Sequence, residues 1–164
     1  MNFINIKNDK EIEQLASLAS EIWHEYWPDI ISPAQIEYMI EKFQSYNAIK
    51  KQIEEERYIY NIFEDNGNII GYFGVCPEDN YFFLSKLYIK KDFRYLGCGK
   101  QAFKKIQQIA QQYNKSSIQL TVNKYNTNTI KVYEKWGFKE INAIVSDIGG
   151  GFVMDDYIME FKLS

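Results

Sequence analysis

Residues 87 to 100 read Leu-Tyr-Ile-Lys-Lys-Asp-Phe-Arg-Tyr-Leu-Gly-Cys-Gly-Lys, an apolar segment that leads through a glycine-bearing turn towards a helix. Gly97 and Gly99 let the backbone approach an anion closely, because they carry no side chain. A helix start presents free N–H groups at the positive end of the helix dipole. Positive charge comes from the basic residues of the segment, which are Lys90, Lys91, Arg94 and Lys100. The segment therefore predicts a site for phosphate.

Two common phosphate-binding motifs do not fit this turn. The Walker motif G-x-x-x-x-G-K-[ST] fails because Arg94 stands at its first glycine and Gln101 at its last position. The dinucleotide motif G-x-G-x-x-G has Ala102 at its third glycine, which is a tolerated variant, but the motif fails because its strand follows a meander instead of opening a β-α-β unit. The pattern that remains is [RQ]-x-x-G-x-[GA], which Arg94, Gly97 and Gly99 satisfy.

Hydrophobic periodicity around the turn predicts an α/β fold with a mixed sheet, in the order β-α-α-β-β-β-α-β-α-β-β. The predicted strands are 3–7, 58–63, 69–75, 81–89, 117–122, 139–147 and 152–161. The predicted helices are 11–27, 32 to about 46, the segment from the turn to 113, and 126–136, with a further charged segment, 48–57, also helical. The helix after the turn should join two parallel strands by a right-handed crossover, with helices on both faces of the sheet.

Composition narrows the class of protein. A chain of 164 residues with 46% hydrophobic and 25% charged residues fits one globular domain, 1–164. Its 19 basic and 22 acidic residues give a net charge of -3, the wrong sign for a general nucleic-acid or anionic-membrane partner. One His and two Cys cannot build a zinc site or a disulfide framework. We expect a cytoplasmic protein without a signal peptide and without a metal.

A second motif follows one helix and one strand after the turn. It consists of the segment 122–126, with Asn126 at its end, and of Val-Tyr-Glu-Lys-Trp-Gly-Phe at 132–138, with Tyr133 in second place. The two motifs together, in this order, resemble the GNAT superfamily of acyl-CoA-dependent N-acyltransferases over nearly the whole chain. The resemblance implies a GNAT-like fold in which a splayed central pair of parallel strands holds acetyl-CoA.

The resemblance also implies roles for individual residues. Backbone groups of the strand before the turn would pair with the pantetheine arm like an added strand, and N–H groups of the turn would hold the pyrophosphate. The Asn126 side chain would contact the cosubstrate near its thioester, and Tyr133 would act as the catalytic general acid beside the sulfur. The implied cosubstrate-binding residues are Leu87, Tyr88, Ile89, Arg94, Tyr95, Leu96, Gly97, Cys98, Gly99, Lys100 and Asn126.

The implied reaction moves the acetyl group from acetyl-CoA directly to a primary amine of a small, cationic molecule or a peptide. The strand before the turn carries no carboxylate at 84–87, so the sequence does not identify the general base. Glu25, Asp155 and Asp156 are candidates for binding the acceptor, and because Asp155 and Asp156 are adjacent on a strand, they point to opposite faces. The alternative is a non-catalytic CoA-binding regulatory module. The resemblance is compatible with a homodimer.

Overall fold

The computed structural model describes Met1 to Ser164 and has one seven-stranded sheet in the order β1-β2-β3-β4-β5-β7-β6. Its strands are β1 (Asn2–Asn5), β2 (Ile59–Asp65), β3 (Asn68–Pro77), β4 (Phe82–Ile89), β5 (Ser117–Asn123), β6 (Lys139–Gly149) and β7 (Phe152–Lys162). Every neighbouring pair is antiparallel except β4 and β5, which are parallel and are joined through a helix. The predicted mixed sheet is confirmed.

Five α-helices cover the sheet. They are α1 (Asp9–Tyr26), α2 (Pro33–Met39), α3 (Tyr46–Glu55), α4 (Cys98–Gln112) and α5 (Thr127–Trp136), with a π-helical segment (Ile40–Gln44) and a short 3-10 helix (Lys91–Phe93). Apolar side chains of α1 and α3 pack on one face of the sheet, and those of α4 and α5 pack on the other. None of the helices combines the length and the apolar composition needed to cross a bilayer.

The structure has three α-helices before β2, which correspond to the two helices of the predicted element order and to the charged segment 48–57, but the boundary of the second helix differs. The second predicted helix reached about residue 46, but α2 ends at Met39 and the π-helical segment follows it. A new helix, α3, then begins after Ser45, whose hydroxyl accepts a hydrogen bond from the Ala48 N–H at 3.2 Å. Apolar residues keep their helical spacing through this region, so periodicity does not mark the break. The separate prediction of a helix at 48–57 is confirmed.

Strands β2 and β3 are buried on both faces and form the rigid centre of the sheet. Phe63 and Phe73 point towards α4, whereas Tyr60 and Tyr72 point towards α1 and α3, and all four are fully buried. Side chains alternate between the faces of a strand, which explains this division. Burial of a large aromatic side chain contributes about 1.5–3 kcal/mol, so β3 gives β4 a firm support on one side.

On its other side β4 separates from its neighbour. Only Phe82 and Phe83 pair with β5, opposite Ile118 and Gln119. Beyond this point β4 carries a bulge, because Gly74 and Val75 of β3 pair with residues 86 and 84 and leave Ser85 without a partner. A bulge bends its strand, and the bend coincides with the divergence of β4 from β5. The splayed parallel pair that the resemblance implies is therefore confirmed.

Gly71 allows β3 and β4 to approach each other closely. A Cβ atom at this position would lie 2.2 Å from the carbonyl oxygen of Tyr88 and 2.7 Å from the ring of Phe63. The backbone oxygen cannot move without displacing β4, so Gly71→Ala should lower the free energy of unfolding by about 1–3 kcal/mol. Urea denaturation measures this change. An unchanged midpoint would mean that β4 is held less tightly than its pairing indicates.

Candidate active site

The divergence of β4 and β5 opens a cavity of about 1070 Å³. The walls of the cavity come from both strands, the glycine-bearing turn, the end of α1, the π-helical segment, α5 and the last hairpin. The predicted site residues that line it are Glu25, Leu87, Tyr88, Ile89, Arg94, Tyr95, Gly97, Gly99, Lys100, Asn126, Tyr133 and Asp156. The predicted residues that do not line it are Leu96, Cys98 and Asp155. One cavity thus brings both sequence motifs together.

The turn leaves backbone N–H groups free at the start of α4. Gly97 is the N-cap residue, with a φ of 83° in the left-handed region, and no side chain caps the helix there. The first backbone bond of α4 runs from the Gln101 N–H to the Gly97 carbonyl at 3.2 Å, so the N–H groups of Cys98 to Lys100 have no partner within the helix. The first turn of α4 has no acidic residue. This arrangement suits a pyrophosphate.

The two glycines of the turn serve different purposes. Gly97 has open space around its Cα atom and is needed for its positive φ. Gly99 instead allows close packing, because a Cβ atom there would lie 3.1 Å from Ile89 and 3.3 Å from the Trp136 ring. Leu96 and Cys98, which precede these glycines, do not point into the cavity. Leu96 is 67% exposed, and Cys98 packs against the core between the sheet and α4.

Arg94 connects the turn to α1 and β4. One guanidinium nitrogen lies 2.7 Å from the Glu25 carboxylate, and Nε donates to the Ile89 carbonyl at 2.8 Å. The guanidinium carbon also lies 5.0 Å from the centre of the Tyr26 ring, as a cation–π contact. Glu25, a predicted acceptor-binding residue, thus lines the cavity with its charge already paired.

Tyr26 links the end of α1 to the second motif. Its hydroxyl donates to Asn126 Oδ1 at 2.6 Å and lies 2.8 Å from Thr129 Oγ1. Asn126 is buried, and its amide Nδ2 remains available to a ligand. The sequence does not single out Tyr26, because its helical spacing marks it only as a packing residue and its partners lie about a hundred positions away.

Tyr133 reaches the cavity from α5, among aromatic neighbours. Its ring centre lies 5.6 Å from that of Trp136 and 5.4 Å from that of Phe138. Burial raises the pKa of the Tyr133 hydroxyl well above its ordinary value, with a small further increase from Tyr26. The phenol therefore stays protonated at neutral pH and can donate a proton.

Asp155 and Asp156 point to opposite faces of β7. Asp155 forms an ion pair with Lys124 at 2.7 Å, outside the cavity. Asp156 lines the cavity and is only 7% exposed, and its Oδ1 has no hydrogen-bond partner. Burial, and then the charge of Asp155, raise the pKa of Asp156 to about 6, against a smaller opposite effect of Lys124. Alternation along the strand thus gives two neighbouring carboxylates different surroundings.

Lys86 is a buried cation on the wall formed by β4. Its ammonium donates to the Phe43 carbonyl at 2.8 Å, to Gln52 Oε1 at 2.9 Å and to the Tyr60 hydroxyl. Burial lowers the pKa of Lys86 to about 7. All three donors of the ammonium are used, so Lys86 holds the π-helical segment and α3 against β4. Its only signal in the sequence is a charged residue within an apolar strand.

A family model described as acetyltransferase (GNAT) domain matches residues 28–155. The chain belongs to the GNAT acetyltransferase family. Its relatives include an uncharacterized N-acetyltransferase in the pepI 3' region of Lactobacillus delbrueckii subsp. lactis, 21% identical over 164 residues, or 95% of this chain and 92% of the relative. As a GNAT protein, the chain is an acyltransferase.

Solved structures share the fold at low sequence identity. The PaiA N-acetyltransferase from Thermoplasma acidophilum, in complex with coenzyme A, superposes with a TM-score of 0.78 at 23% identity, over 99% of this chain and 100% of that one. A GCN5-related N-acetyltransferase from Rhodopseudomonas palustris superposes with a TM-score of 0.81 at 12% identity, over 99% and 95% of the two chains. At these identities the comparison supports the fold of the GNAT chain and not its acceptor.

The site of this GNAT protein fits the expected acetyl-CoA. The edge of β4 that faces the gap is free of strand pairing from Leu84 to Ile89, so an extended chain with amide groups can bind there. The free N–H groups of α4 lie at the end of the same strand, where a pyrophosphate would follow.

Replacement of Gly97 tests the turn. A β-branched residue is strained at a φ of 83°, so Gly97→Val should shift the turn and raise the Kd for CoA at least about tenfold, measured by calorimetry. Gly67→Val is the matched control, because Gly67 has a φ of 78°, equally open surroundings and a position in the distant β2–β3 hairpin. If both variants bind CoA like the wild type, the turn does not hold the pyrophosphate.

Proposed function

We propose that this protein transfers the acetyl group of acetyl-CoA to a primary amine of a small molecule or peptide, directly, within one ternary complex. The observation that carries the proposal is a single cavity lined at once by the free N–H end of α4, by Tyr133 and by the buried Asp156. A pyrophosphate site, a proton donor and a site for an ammonium group are the three requirements of this reaction.

The residues of the glycine-bearing turn and of β4 would hold the cosubstrate. The N–H groups from Tyr95 to Lys100 would bind the pyrophosphate, and backbone groups of Leu87 to Ile89 would bind the pantetheine arm. The Nδ2 of Asn126 would contact the arm near its thioester, because Oδ1 already accepts from Tyr26. When bound, acetyl-CoA supplies the activated acyl group.

Direct transfer is supported by the positions of the cysteines. Cys76 is buried and Cys98 packs against the core, and neither lines the cavity. Burial also raises the pKa of the Cys76 thiol to about 11, so it is not a reactive thiolate. A covalent acyl-cysteine step therefore has no nucleophile here, and the amine itself must reach the thioester.

Tyr133 would supply the proton that the departing sulfur needs. Its phenol is protonated at neutral pH, and it lines the gap between β4 and β5 where the thioester is expected. A regulatory module that only binds CoA has no need for a proton donor at this point or for a buried carboxylate. The combination therefore favours catalysis over the non-catalytic alternative.

An amine panel tests the proposal. The protein is mixed with acetyl-CoA and single amines, and free thiol is measured over time. Thermal denaturation with CoA at about 100 times its Kd should first show a stabilisation of about 2.7 kcal/mol, which establishes binding. Thiol release that depends on an amine supports the transferase. Stabilisation by CoA without release across a broad panel of amines and peptides would support the regulatory module instead.

Tyr133→Phe should lower kcat about 100-fold or more, because general acid catalysis commonly contributes at least this factor. Affinity for CoA should stay nearly unchanged, since only a hydroxyl is lost. Tyr113→Phe is the control, because Tyr113 lies at the end of α4, is 45% exposed and does not line the cavity. Equal turnover in both variants would assign the proton donor to another group.

A further inference from the structure

We infer that Asp156 binds the ammonium group of the acceptor and takes its proton, and that the acceptor is a primary amine with one positive charge on an apolar body. The inference rests on the proposed function, for which it names the general base and the class of acceptor.

Asp156 lies in the middle of β7, the second strand of the last hairpin, on the face that lines the cavity. It lies opposite Asn123 of β5 and Ile144 of β6, and Met154 and Ile158 flank it along β7. Its Oδ1 is buried without a partner. An unpartnered carboxylate oxygen in such a site is costly, and folded proteins rarely leave one without a hydrogen-bond donor. An ammonium group is the ligand that satisfies both its charge and its hydrogen bonding.

The remaining carboxylates of the cavity do not form a second cation site beside Asp156. Glu25 is paired with Arg94, and Asp29 is exposed at the rim. The basic residues on the walls are Lys86, Lys91, Arg94 and Lys100. The cavity therefore offers one buried negative charge to an acceptor.

Three of the four strand neighbours of Asp156 are apolar, namely Ile144, Met154 and Ile158, and the fourth is Asn123. The lining that the last hairpin and the region of α1 and α2 give to the cavity is also largely apolar and includes Trp27, Ile30, Met39, Ile144, Ser146, Ile148, Met154 and Ile158. A second ammonium group on the acceptor would lose its hydration here without a carboxylate to pair with. These features disfavour polyamines and favour a monoamine with a hydrocarbon body.

The chemistry balances with Asp156 as base and Tyr133 as acid. The acceptor R–NH₃⁺ gives one proton to the Asp156 carboxylate, and its nitrogen then bonds to the acetyl carbonyl carbon as the C–S bond breaks. Tyr133 gives a proton to the sulfur, and the second proton lost from the nitrogen replaces it. Asp156 returns its proton to water. Each turnover yields the N-acetyl amine, the thiol of CoA and one proton.

The groups around Asp156 set its basicity. Burial and Asp155 raise its pKa to about 6, and Lys124 lowers it. The other titratable groups with perturbed pKa values on the cavity walls are Tyr58, Lys86, Tyr88 and Tyr133. Asp156 is thus ionised at neutral pH, yet it is a stronger base than an exposed aspartate.

The first test compares Asp156→Asn with Glu160→Gln, the same chemical change on the same strand but outside the cavity. Asp156→Asn should lower kcat/KM at least about 100-fold, whereas Kd for CoA stays unchanged. It should also raise Tm at pH 8, because an ionised, unpartnered carboxylate disfavours the folded state at that pH. A purely structural role predicts a lower Tm. Glu160→Gln should keep the wild-type activity.

The second test compares hexylamine with hexane-1,6-diamine, which differ in the second ammonium group. We expect kcat/KM to be at least about tenfold higher for hexylamine. Equal rates, faster acetylation of the diamine, or full activity of Asp156→Asn would overturn this inference and leave the transferase intact. A wild-type protein that binds CoA but acetylates no amine would overturn both the inference and the proposed function.

Discussion

Backbone pairing between β4 and β5 stops after Phe83 and Gln119, and the geometry of the site depends on this early end. Each strand keeps a full partner on its other side, β3 for β4 and β7 for β5, so the sheet survives the separation. A buried, unpaired backbone group costs about 1–3 kcal/mol. The free edge of β4 is therefore a place where an extended ligand gains the hydrogen bonds that a neighbouring strand would otherwise make. The bulge at Ser85 turns β4 away where this edge begins.

Side chains hold the two sides of the gap together in place of ladder hydrogen bonds. The last turn of α1 reaches both sides, because Glu25 pairs with Arg94 of the turn and Tyr26 bonds to Asn126 before α5. The Tyr26 ring also lies under the Arg94 guanidinium. Arg94 therefore acts as much in positioning the turn as in supplying charge. A contact of α1 with both motifs explains how a helix early in the chain takes part in a site that the later half encodes.

Local patterns could predict the parts of this protein that depend on neighbours in sequence. The glycine-bearing turn and the pleat that separates Asp155 from Asp156 are of this kind, and the structure agrees with both. The resemblance predicts the GNAT-like fold with its splayed pair of parallel strands. The pairings of Tyr26 with Asn126 and of Glu25 with Arg94 could not be predicted, because they join distant segments that only the folded chain brings together. The π-helical break after Met39 could not be predicted for a different reason. The apolar spacing continues through it, and only the Ser45 cap marks the start of α3.

The charges of the cavity follow an order that matches the proposed reaction. Cationic side chains and free N–H groups gather near the start of α4, and the one buried carboxylate comes from β7. Burial affects Asp156 in two ways. It strengthens the electrostatic attraction between the carboxylate and a bound ammonium group, and it raises the pKa of the carboxylate, which makes it a stronger base. An ion pair like that of Asp155 with Lys124 would remove both properties. The pleat of β7 therefore matters for the chemistry, because it places Asp155 beside Lys124 and keeps Asp156 available to the acceptor.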